Sequence, residues 1–279
     1  MERPVPGFGS AVAEGDERGS LVAVGYTAPM ASVCRIDLTD MRATREPVPE
    51  PVARCFFGGR GANVAALLDC LRPDLDPLDP RTPLLFGVGP LVGTGLPSAA
   101  RFNVSGRSPQ TGILGDANAG GFFGQELRFA GIDQLAITGR AERPTLLWIH
   151  DGAVQFLDGR DLWGLDTVET TQAVNDLLGD PKARVAAIGP AAECGVAFSG
   201  VFADRVRTAA RTGMGRVMAS KNLKAIAVRG SGRPTLHDPS RFRDLCVKLR
   251  ESILAHPEYE VRSKLGSTQL VTALQRIGA

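Results

Sequence analysis

Two stretches of the chain, GGFFGQELRFAGIDQLAITGRAERPTL (residues 120–146) and RTGMGRVMASKNLKAIAVRGSGRPTL (211–236), follow the same plan. Each begins at a small or glycine-rich turn, continues through a helix-like segment to a short apolar strand, and ends on RPTL. A strand ending in Gly-Pro precedes each of them, at 87–90 and 187–190. A repeat of about a hundred residues is too long for a solenoid unit. It predicts two similar halves about a pseudo-twofold axis, and a chance match of glycine-rich segments is the alternative.

The segments around this repeat are typical of an α+β fold with a mixed β-sheet in each half. Apolar positions at helical spacing predict helices over 58–75 and 167–179. Asp151-Gly152 between two apolar runs indicates a β-hairpin. Residues 44–56, with three prolines, are predicted to be an extended connector. Strands are expected at 21–26, 32–38, 83–89, 101–109, 134–139, 145–152, 153–159, 184–190, 195–204 and 224–230.

The domain organisation follows from changes in this pattern. Residues 1–20 lack the apolar core of a signal peptide and are predicted to be a disordered leader. The α+β domain is expected over 21–233. From residue 234 the pattern becomes helical, which predicts that 234–279 are the beginning of an incomplete α-helical second domain.

Composition excludes several classes of protein. The net charge of +2, without a basic run, argues against a nucleic-acid partner. The longest apolar stretches, such as 84–96, are too short and too rich in glycine and proline to cross a membrane, so a cytoplasmic protein is expected. The five cysteines lie at least fifteen residues apart and match neither a disulfide framework nor a metal-site spacing. With only three histidines, a histidine-based metal site is not expected either.

Arginines and small residues mark equivalent loops in the two halves. Arg101 and Arg107 belong to the first loop, 101–121, while Arg207 and Arg211 belong to the second. Glycine lets the backbone approach a ligand, helix N-termini favour phosphate, and a planar guanidinium matches two phosphate oxygens. Two such loops facing each other could clamp an anionic, phosphate-bearing cofactor. The alternative is that these arginines are solvated surface residues.

Seven motifs together resemble a known family. In chain order they are GGRGANVAALL, DPLDP, GPLVGTGLPSAARFNVSGRSPQTG, ANAGGFFGQELRFAGID, ITGRAERP, IGPAAE and GRVMASKNLKAIAV. Over residues 21–230 the chain resembles the N-terminal domain of the aldehyde ferredoxin oxidoreductase family. The resemblance implies a tungsten (or molybdenum) oxidoreductase that converts aldehydes to carboxylic acids with ferredoxin as electron acceptor. The family's relatives include the tungsten subunit of aromatic acyl-CoA reductases.

The resemblance also implies a cofactor and residues that hold it. In the family this domain has two similar halves and forms the base for two pyranopterin dithiolenes, which bind the metal and whose phosphates are joined by magnesium. Arg101 resembles the arginine that contacts the cofactor. Asn118 resembles the residue whose backbone carbonyl ligates the magnesium, with Gly120 beside it. In the second loop Arg207 and Thr208 match an Arg-Ala pair, and the carbonyl of Thr208 would supply the opposite magnesium ligand.

Two departures from the family pattern limit what the chain is expected to do. Ala210 and Arg211 match a Gly-Arg pair, so Ala210 adds a methyl group where the backbone approaches the pterin. The cysteine motif of the family's 4Fe-4S cluster is absent, and its acid–base residues lie in missing domains, so no catalytic residue is predicted here. The expected partners are ferredoxin or an electron-transfer subunit, together with the missing C-terminal domains or a second chain.

These departures leave several readings open. The chain is expected to be a cofactor-base domain, from a truncated gene or one of two split chains, that is inactive without the cluster-binding domains. The alternatives are a fragment of the tungsten subunit of an aromatic acyl-CoA reductase, a free-standing pterin-binding domain, and a non-functional remnant.

Overall fold

A computed structural model describes residues 32–70, 72 and 74–278 of the chain. The predicted leader at 1–20 and the predicted strand at 21–26 lie outside the described residues. The chain divides into two compact units. The first comprises the described residues up to Thr94 together with Ala99–Thr235, and the second comprises Gly95–Ser98 and the residues from Leu236 onward.

The first unit contains two mixed six-stranded sheets. The first sheet has the order β2-β1-β6-β3-β4-β5, and the second has the order β11-β10-β9-β12-β7-β8. The strands of the first sheet are β1 (Ser32–Asp37), β2 (Arg42–Pro47), β3 (Leu84–Val88), β4 (Phe102–Arg107), β5 (Leu114–Ala119) and β6 (Gln134–Thr138). Those of the second are β7 (Thr145–His150), β8 (Ala153–Asp158), β9 (Arg184–Ala187), β10 (Val201–Ala203), β11 (Arg207–Ala209) and β12 (Leu223–Arg229).

The second sheet repeats the topology of the first strand by strand. Reading β8-β7-β12-β9-β10-β11 against β2-β1-β6-β3-β4-β5 matches each strand to the one six places earlier in the chain. The pairing directions also match, because β6 and β12 run parallel to β1 and β7 and antiparallel to β3 and β9. The predicted duplicated α+β fold is therefore confirmed. We call β1–β6 the first half and β7–β12 the second half.

In the described part of the first unit, six helices accompany the sheets. They are α1 (Glu50–Cys55), α2 (Gly59–Cys70), α3 (Phe123–Phe129), α4 (Thr167–Leu178), α5 (Pro190–Glu193) and α6 (Met214–Ser220). A single 3-10 turn at Arg160–Leu162 precedes α4. Helices α2 and α4 cover the outer faces of the first and second sheets. Helices α3 and α6 pack between the sheets, since each contacts strands of both.

The main apolar core lies between the two sheets. It combines inward-facing residues of both sheets with buried residues of α3 and α6. Phe86, Phe102 and Phe123 are fully buried there, with ring centroids 5.0–6.4 Å apart. Burying a side chain of this size stabilises the fold by about 1.5–3 kcal/mol. The inner face of each half is thus covered by the other half.

Some local predictions are wrong. Residues 44–56 form the end of β2 and helix α1 rather than a connector, because Pro47 ends the strand and Pro51 occupies the first turn of the helix, where proline is tolerated. Only three residues of 195–204 form a strand, β10. In α2, Leu67 is buried whereas Leu68 is 75% exposed, so the apolar stripe is narrower than predicted.

The second unit is helical in its described part. Its helices are α7 (Pro239–Leu254), α8 (Tyr259–Leu265) and α9 (Leu270–Arg276), with a 3-10 turn at Gly266–Gln269. None of these three helices contains a buried residue, and the aliphatic side chains of α7 are exposed. In the described part of the chain no helix combines the length and apolar character needed to cross a membrane.

Candidate functional site

The two outermost strands, β5 and β11, bring the predicted loops of the two halves together. Each ends its own sheet, and the two strands lie side by side with Cα atoms within 8 Å. Asn118 pairs with Asn103 in the first sheet, and Thr208 pairs with Phe202 in the second. Because β4 and β5 match β10 and β11, Asn118 and Thr208 occupy equivalent positions. The structure therefore juxtaposes the two strands that carry them.

The residues after these strands are also equivalent. Gly120 and Ala210 each follow the last residue of the strand, and Gly121 and Arg211 come next. Gly121 has φ +92° and Arg211 has φ +80°, both in the left-handed region. A left-handed backbone in a residue other than glycine costs about 1–2 kcal/mol, and such residues are frequent at functional sites. Arg211 therefore adopts a conformation that glycine would adopt more easily.

The two adjacent glycines of the first turn have different surroundings. A methyl group on Gly121 would lie 2.3 Å from the Oδ2 atom of Asp204 and 3.0 Å from the Cγ atom of Arg207. A methyl group on Gly120 would meet nothing within 4 Å. The fold thus requires glycine at 121 and leaves open space at 120. The contact at Gly121 also places the side chain of Arg207 beside the first-half turn.

Three of the arginines predicted to bind an anion are free to do so. Arg101, Arg207 and Arg211 are exposed, and within the described residues none of them makes a side-chain hydrogen bond or an ion pair. Arg101 precedes Phe102, which pairs with Ala119, so it lies across the strand ladder from the first turn. The three guanidinium groups thus contribute positive charge that the protein does not neutralise.

Arg107 has a structural role instead. Its Nε atom donates to the carbonyl of Gly112 at 2.8 Å, and its Nη1 atom donates to the carbonyls of Arg72, at 3.2 Å, and Leu75. These bonds tie the β4–β5 hairpin to the loop before β3. The Nε and Nη1 donors of Arg107 are thus occupied by main-chain oxygens, unlike the donors of the three exposed arginines.

A buried polar network surrounds Asn118. Asn103, 1% exposed, donates from Nδ2 to the carboxylate of Asp116 and, at 3.3 Å, to Oδ1 of Asn118. Asn63 of α2 donates to Oδ1 of Asn103 at 2.8 Å, and Arg60 forms an ion pair with Asp116 at 2.6 Å. This network links α2 to β4 and β5. The sequence did not reveal it, although an asparagine within a predicted strand and an arginine at a predicted helix start were its visible signals.

Two backbone N–H groups at the start of α3 already have a carboxylate partner. The backbone N–H groups of Phe122 and Phe123 both donate to Oδ2 of Asp204, the latter at 3.3 Å. The anion that a helix N-terminus favours is therefore supplied by a carboxylate of the second half. Asp204 thus occupies part of the space that a phosphate could take at this helix start, while the side chains of Arg101, Arg207 and Arg211 have no hydrogen-bond or ion-pair partner among the described residues.

The buried lysines after α6 have internal partners. Lys221, 1% exposed, donates from Nζ to the carbonyls of Pro80 at 2.9 Å and Gly139 at 3.4 Å. Burial lowers the pKa of Lys221 to about 8, partly offset by the charge of Asp79. Lys224 forms an ion pair with Glu193 at 2.6 Å, and burial lowers its pKa as well. Both lysines support the fold through these bonds.

The exposed arginines of the site could bind an anion, but the described residues of the site do not include an evident acid–base pair. Within the described residues no group of three or more histidine, cysteine or carboxylate side chains could hold a metal ion. The strands of Asn118 and Thr208 could offer main-chain oxygens, which suit a hard cation such as magnesium. Together with the exposed arginines, these groups are suited to a ligand that carries phosphate and a divalent cation.

A family model matches most of the first unit. Residues 33–230 match the model of the aldehyde ferredoxin oxidoreductase N-terminal domain. The chain belongs to the aldehyde ferredoxin oxidoreductase family. It is 41% identical over 225 residues to the tungsten-containing aldehyde ferredoxin oxidoreductase of Pyrococcus abyssi, covering 81% of this chain and 37% of that protein. The corresponding protein of Thermococcus kodakarensis is 40% identical, with 79% of this chain and 37% of the relative covered.

More distant relatives of this chain have other substrates in their names. The aliphatic sulfonate oxidoreductase, WOR-like subunit, of Pyrococcus furiosus is 31% identical over 233 residues, covering 77% of this chain and 36% of that protein. Among solved structures, the active site complex of benzoyl coenzyme A reductase matches with a TM-score of 0.80 and 32% identity, over 84% of this chain and 36% of that chain. The chain spans a little over a third of the length of these relatives.

Proposed function

We propose that this chain is the cofactor-base domain of a tungsten (or molybdenum) bis-pyranopterin oxidoreductase that oxidises aldehydes to carboxylic acids and passes electrons to ferredoxin. In this proposal the chain alone is inactive, because the cluster-binding domains act with it as further domains or as a second chain. The observation that carries the proposal is the meeting of β5 and β11, which places the strands that carry Asn118 and Thr208 next to each other.

Residues in β5 and β11, and directly after them, would hold the cofactor. The backbone carbonyls of Asn118 and Thr208 would ligate magnesium from opposite halves, which requires no particular side chain at either position. The open space at Gly120 supports a close approach of the cofactor to the backbone, and Ala210 would border it on the other side.

The unpaired arginines supply the charge that such a ligand requires. Arg101, Arg207 and Arg211 would bind the cofactor phosphates through charge-assisted hydrogen bonds, each worth about 1.5–3 kcal/mol. When bound, the metal with its pterin sulfurs would supply the two-electron oxidation. The residues of this chain bind and orient the cofactor, and the described residues present no group that would exchange a proton with the substrate.

A reductase of aromatic acyl-CoA substrates is the second candidate. It is favoured by the structural match to the benzoyl coenzyme A reductase complex, whose TM-score is 0.80. The cofactor base would be the same in both cases, so the two candidates differ only in the substrate and in the direction of electron transfer. Assays with an aldehyde and a viologen acceptor, and with an aromatic acyl-CoA and a reduced viologen, separate them once the remaining domains are supplied.

The first experiment measures cofactor retention by the chain. The chain is purified from a host grown with tungstate, and its tungsten and magnesium are measured together with the fluorescence of released pterin. We expect bound pterin, and we expect Arg101→Ala and Arg207→Ala each to lower retention by about tenfold or more, as the loss of a charge-assisted bond implies.

Arg140→Ala is the matched control for these two variants, because Arg140 is also exposed and its side chain has no ion pair among the described residues. It is expected to leave retention unchanged. Equal retention in all three arginine variants would show that the anion-binding groups are misassigned. A folded chain that retains neither pterin nor tungsten would instead favour a non-functional remnant.

A further inference from the structure

An aspartate of the second half forms hydrogen bonds to the backbone of the first half. Asp204 lies in the turn between β10 and β11, and its Oδ2 atom accepts the backbone N–H groups of Phe122 and Phe123. Its Oδ1 atom lies 3.9 Å from Nη1 of Arg184, and that guanidinium lies 4.8 Å from the ring centroid of Phe122. We call Asp204, Arg184 and Phe122 the inter-half lock. It connects the turn that follows β5 with the hairpin that contains β11.

The hairpin turn that contains Asp204 has a conformational cost. Asp204 and the next residue, Arg205, both adopt left-handed backbone conformations, with φ +49° and +69°. Non-glycine residues in this region cost about 1–3 kcal/mol and persist where the surroundings hold them in place. Oδ1 of Asp204 is also buried without a hydrogen-bond partner among the described residues. The bonds from Phe122 and Phe123 to Oδ2 are thus the hydrogen bonds that hold this carboxylate among the described residues.

The lock lies beside both strands that carry the sequence-predicted magnesium ligands. Phe122 is four residues after Asn118, and Asp204 is four residues before Thr208. Gly121 packs so closely on Asp204 that a methyl group there would lie 2.3 Å from its carboxylate. A movement of Asp204 relative to Phe122 would thus move β11 relative to β5.

We propose that Asp204 is a positioning residue that fixes the spacing between β5 and β11, and thereby the distance between the backbone carbonyls of Asn118 and Thr208. This role of Asp204 rests on the proposed function, because a magnesium ion held by two carbonyl oxygens requires a narrow range of distances between them. The spacing itself is a property of the protein and can be measured without any cofactor.

The test compares Asp204→Ala with Asp204→Asn, which keeps one acceptor oxygen, and with Asp161→Ala, an exposed aspartate that forms no ion pair in the described part of the chain. Hydrogen exchange at the amides of Phe122 and Phe123 should be about tenfold faster or more in Asp204→Ala. Exchange in β12 should stay as in the wild type. Both other variants should resemble the wild type at all of these amides.

The spacing between β5 and β11 is followed by electron–electron distance measurement. The spin labels are placed at Ile113 and Val206, which are 69% and 74% exposed. The labels are carried by genetically encoded residues, so that the native cysteines stay in place. The distance distribution should broaden in Asp204→Ala. If that variant does not fold, Asp204→Glu, which moves the carboxylate by one methylene, should lengthen the mean distance.

Unchanged exchange at Phe122 and unchanged label distances would overturn the proposal. Tungsten and pterin are measured in the same preparations, which keeps the two hypotheses separate. A wild-type chain without pterin contradicts the proposed function, while exchange and distance still decide the role of Asp204. Pterin loss in Asp204→Ala at unchanged spacing would also overturn the positioning role.

Discussion

The two halves reach the same backbone geometry at residues 121 and 211 with opposite residue types. Gly121 and Arg211 both have left-handed φ angles. At 121 the fold forbids a side chain, because Asp204 fills the space a methyl group would need. At 211 the chain carries the longest cationic side chain in a conformation that glycine adopts more easily. One turn is thus constrained by packing between the halves, while the other retains a side chain at a conformational cost.

This difference indicates how the duplicated halves have divided their roles. The first half supplies the packing surface at its turn, and its arginine, Arg101, lies before β4 instead. In the second half the residue that precedes β10 is Gly200, and the arginines lie at 207 and 211. The equivalent loops of the two halves therefore carry their arginines at positions that are not equivalent. Four substitutions test how far the two halves differ.

The largest effect is expected for Gly121→Ala. The left-handed conformation and the collision with Asp204 together should lower the free energy of unfolding by about 4 kcal/mol, as measured by urea denaturation. Arg211→Ala should change it by less than about 1 kcal/mol, because that backbone already carries a side chain. Similar losses in both variants would contradict the assignment of a packing role to residue 121 alone.

A smaller loss is expected for Asn103→Ala. This change leaves the amide of Asn63 and the carboxylate of Asp116 without their buried partner, which should cost about 3 kcal/mol of unfolding free energy. The equivalent position in the second half is Phe202, which is only half-buried, so Phe202→Ala should cost about 1–2 kcal/mol. Chemical denaturation of the two variants side by side measures the difference. A larger loss for Phe202→Ala would show that the polar network is dispensable.

The helices between the sheets differ in the charges near their ends, and this difference predicts a pH dependence. Arg128 of α3 forms a buried ion pair with Asp133, whereas Lys221 after α6 has only carbonyl partners among the described residues. Burial lowers the pKa of Lys221 from 10.5 to about 8. The unfolded chain therefore binds more protons between these pH values, so this group's contribution to stability rises as the pH increases through that window.

The measurement compares the wild type with Lys221→Met at pH 7.5 and pH 10 by urea denaturation. The unfolding free energy of the wild type should rise relative to the variant by roughly 2–3 kcal/mol between these two pH values. Lys224→Met serves as a contrast, because Lys224 has the carboxylate of Glu193 as a partner. A difference that falls with rising pH would contradict the lowered pKa of Lys221.

The smallest change in stability is expected for Gly120→Ala. A methyl group there meets nothing within 4 Å, so thermal unfolding should shift by no more than about 0.5 kcal/mol in free energy. Pterin retention should fall, since the methyl group occupies space proposed for the cofactor. Ala210→Gly makes the opposite change in the second half and should leave retention equal or higher. Full retention in Gly120→Ala would show that the cofactor does not approach this turn.

The duplicated architecture could be predicted from the sequence, because a repeat and local apolar patterns can be recognised without knowledge of long-range contacts. The hairpin at Asp151-Gly152 and the helix that ends at Gly179 were predicted for the same reason, and the structure confirms both. The strand over 195–204 was overextended, because an apolar run of that length does not reveal that only its last residues find a pairing strand.

The site residues were predicted from a resemblance to a family. The contacts that hold these residues in place could not be predicted from the sequence. The bond from Phe122 to Asp204 joins residues 82 positions apart, and no local pattern indicates such a partner. Arg107 and Arg101 look alike in the sequence, yet only the fold shows that Arg107 is bound to the carbonyl of Gly112. Burial and long-range pairing, rather than residue type, separate the structural arginine from the open ones.

The shared core between the two sheets has a consequence for a single half in isolation. Each half leaves the inner face of its sheet to be covered by its counterpart, so one half alone would expose that face to water. Two identical copies of one half could cover it as a symmetric homodimer, but both turns would then carry the same residue. Because both halves belong to one chain, each turn is encoded separately, and glycine and arginine can occupy equivalent positions.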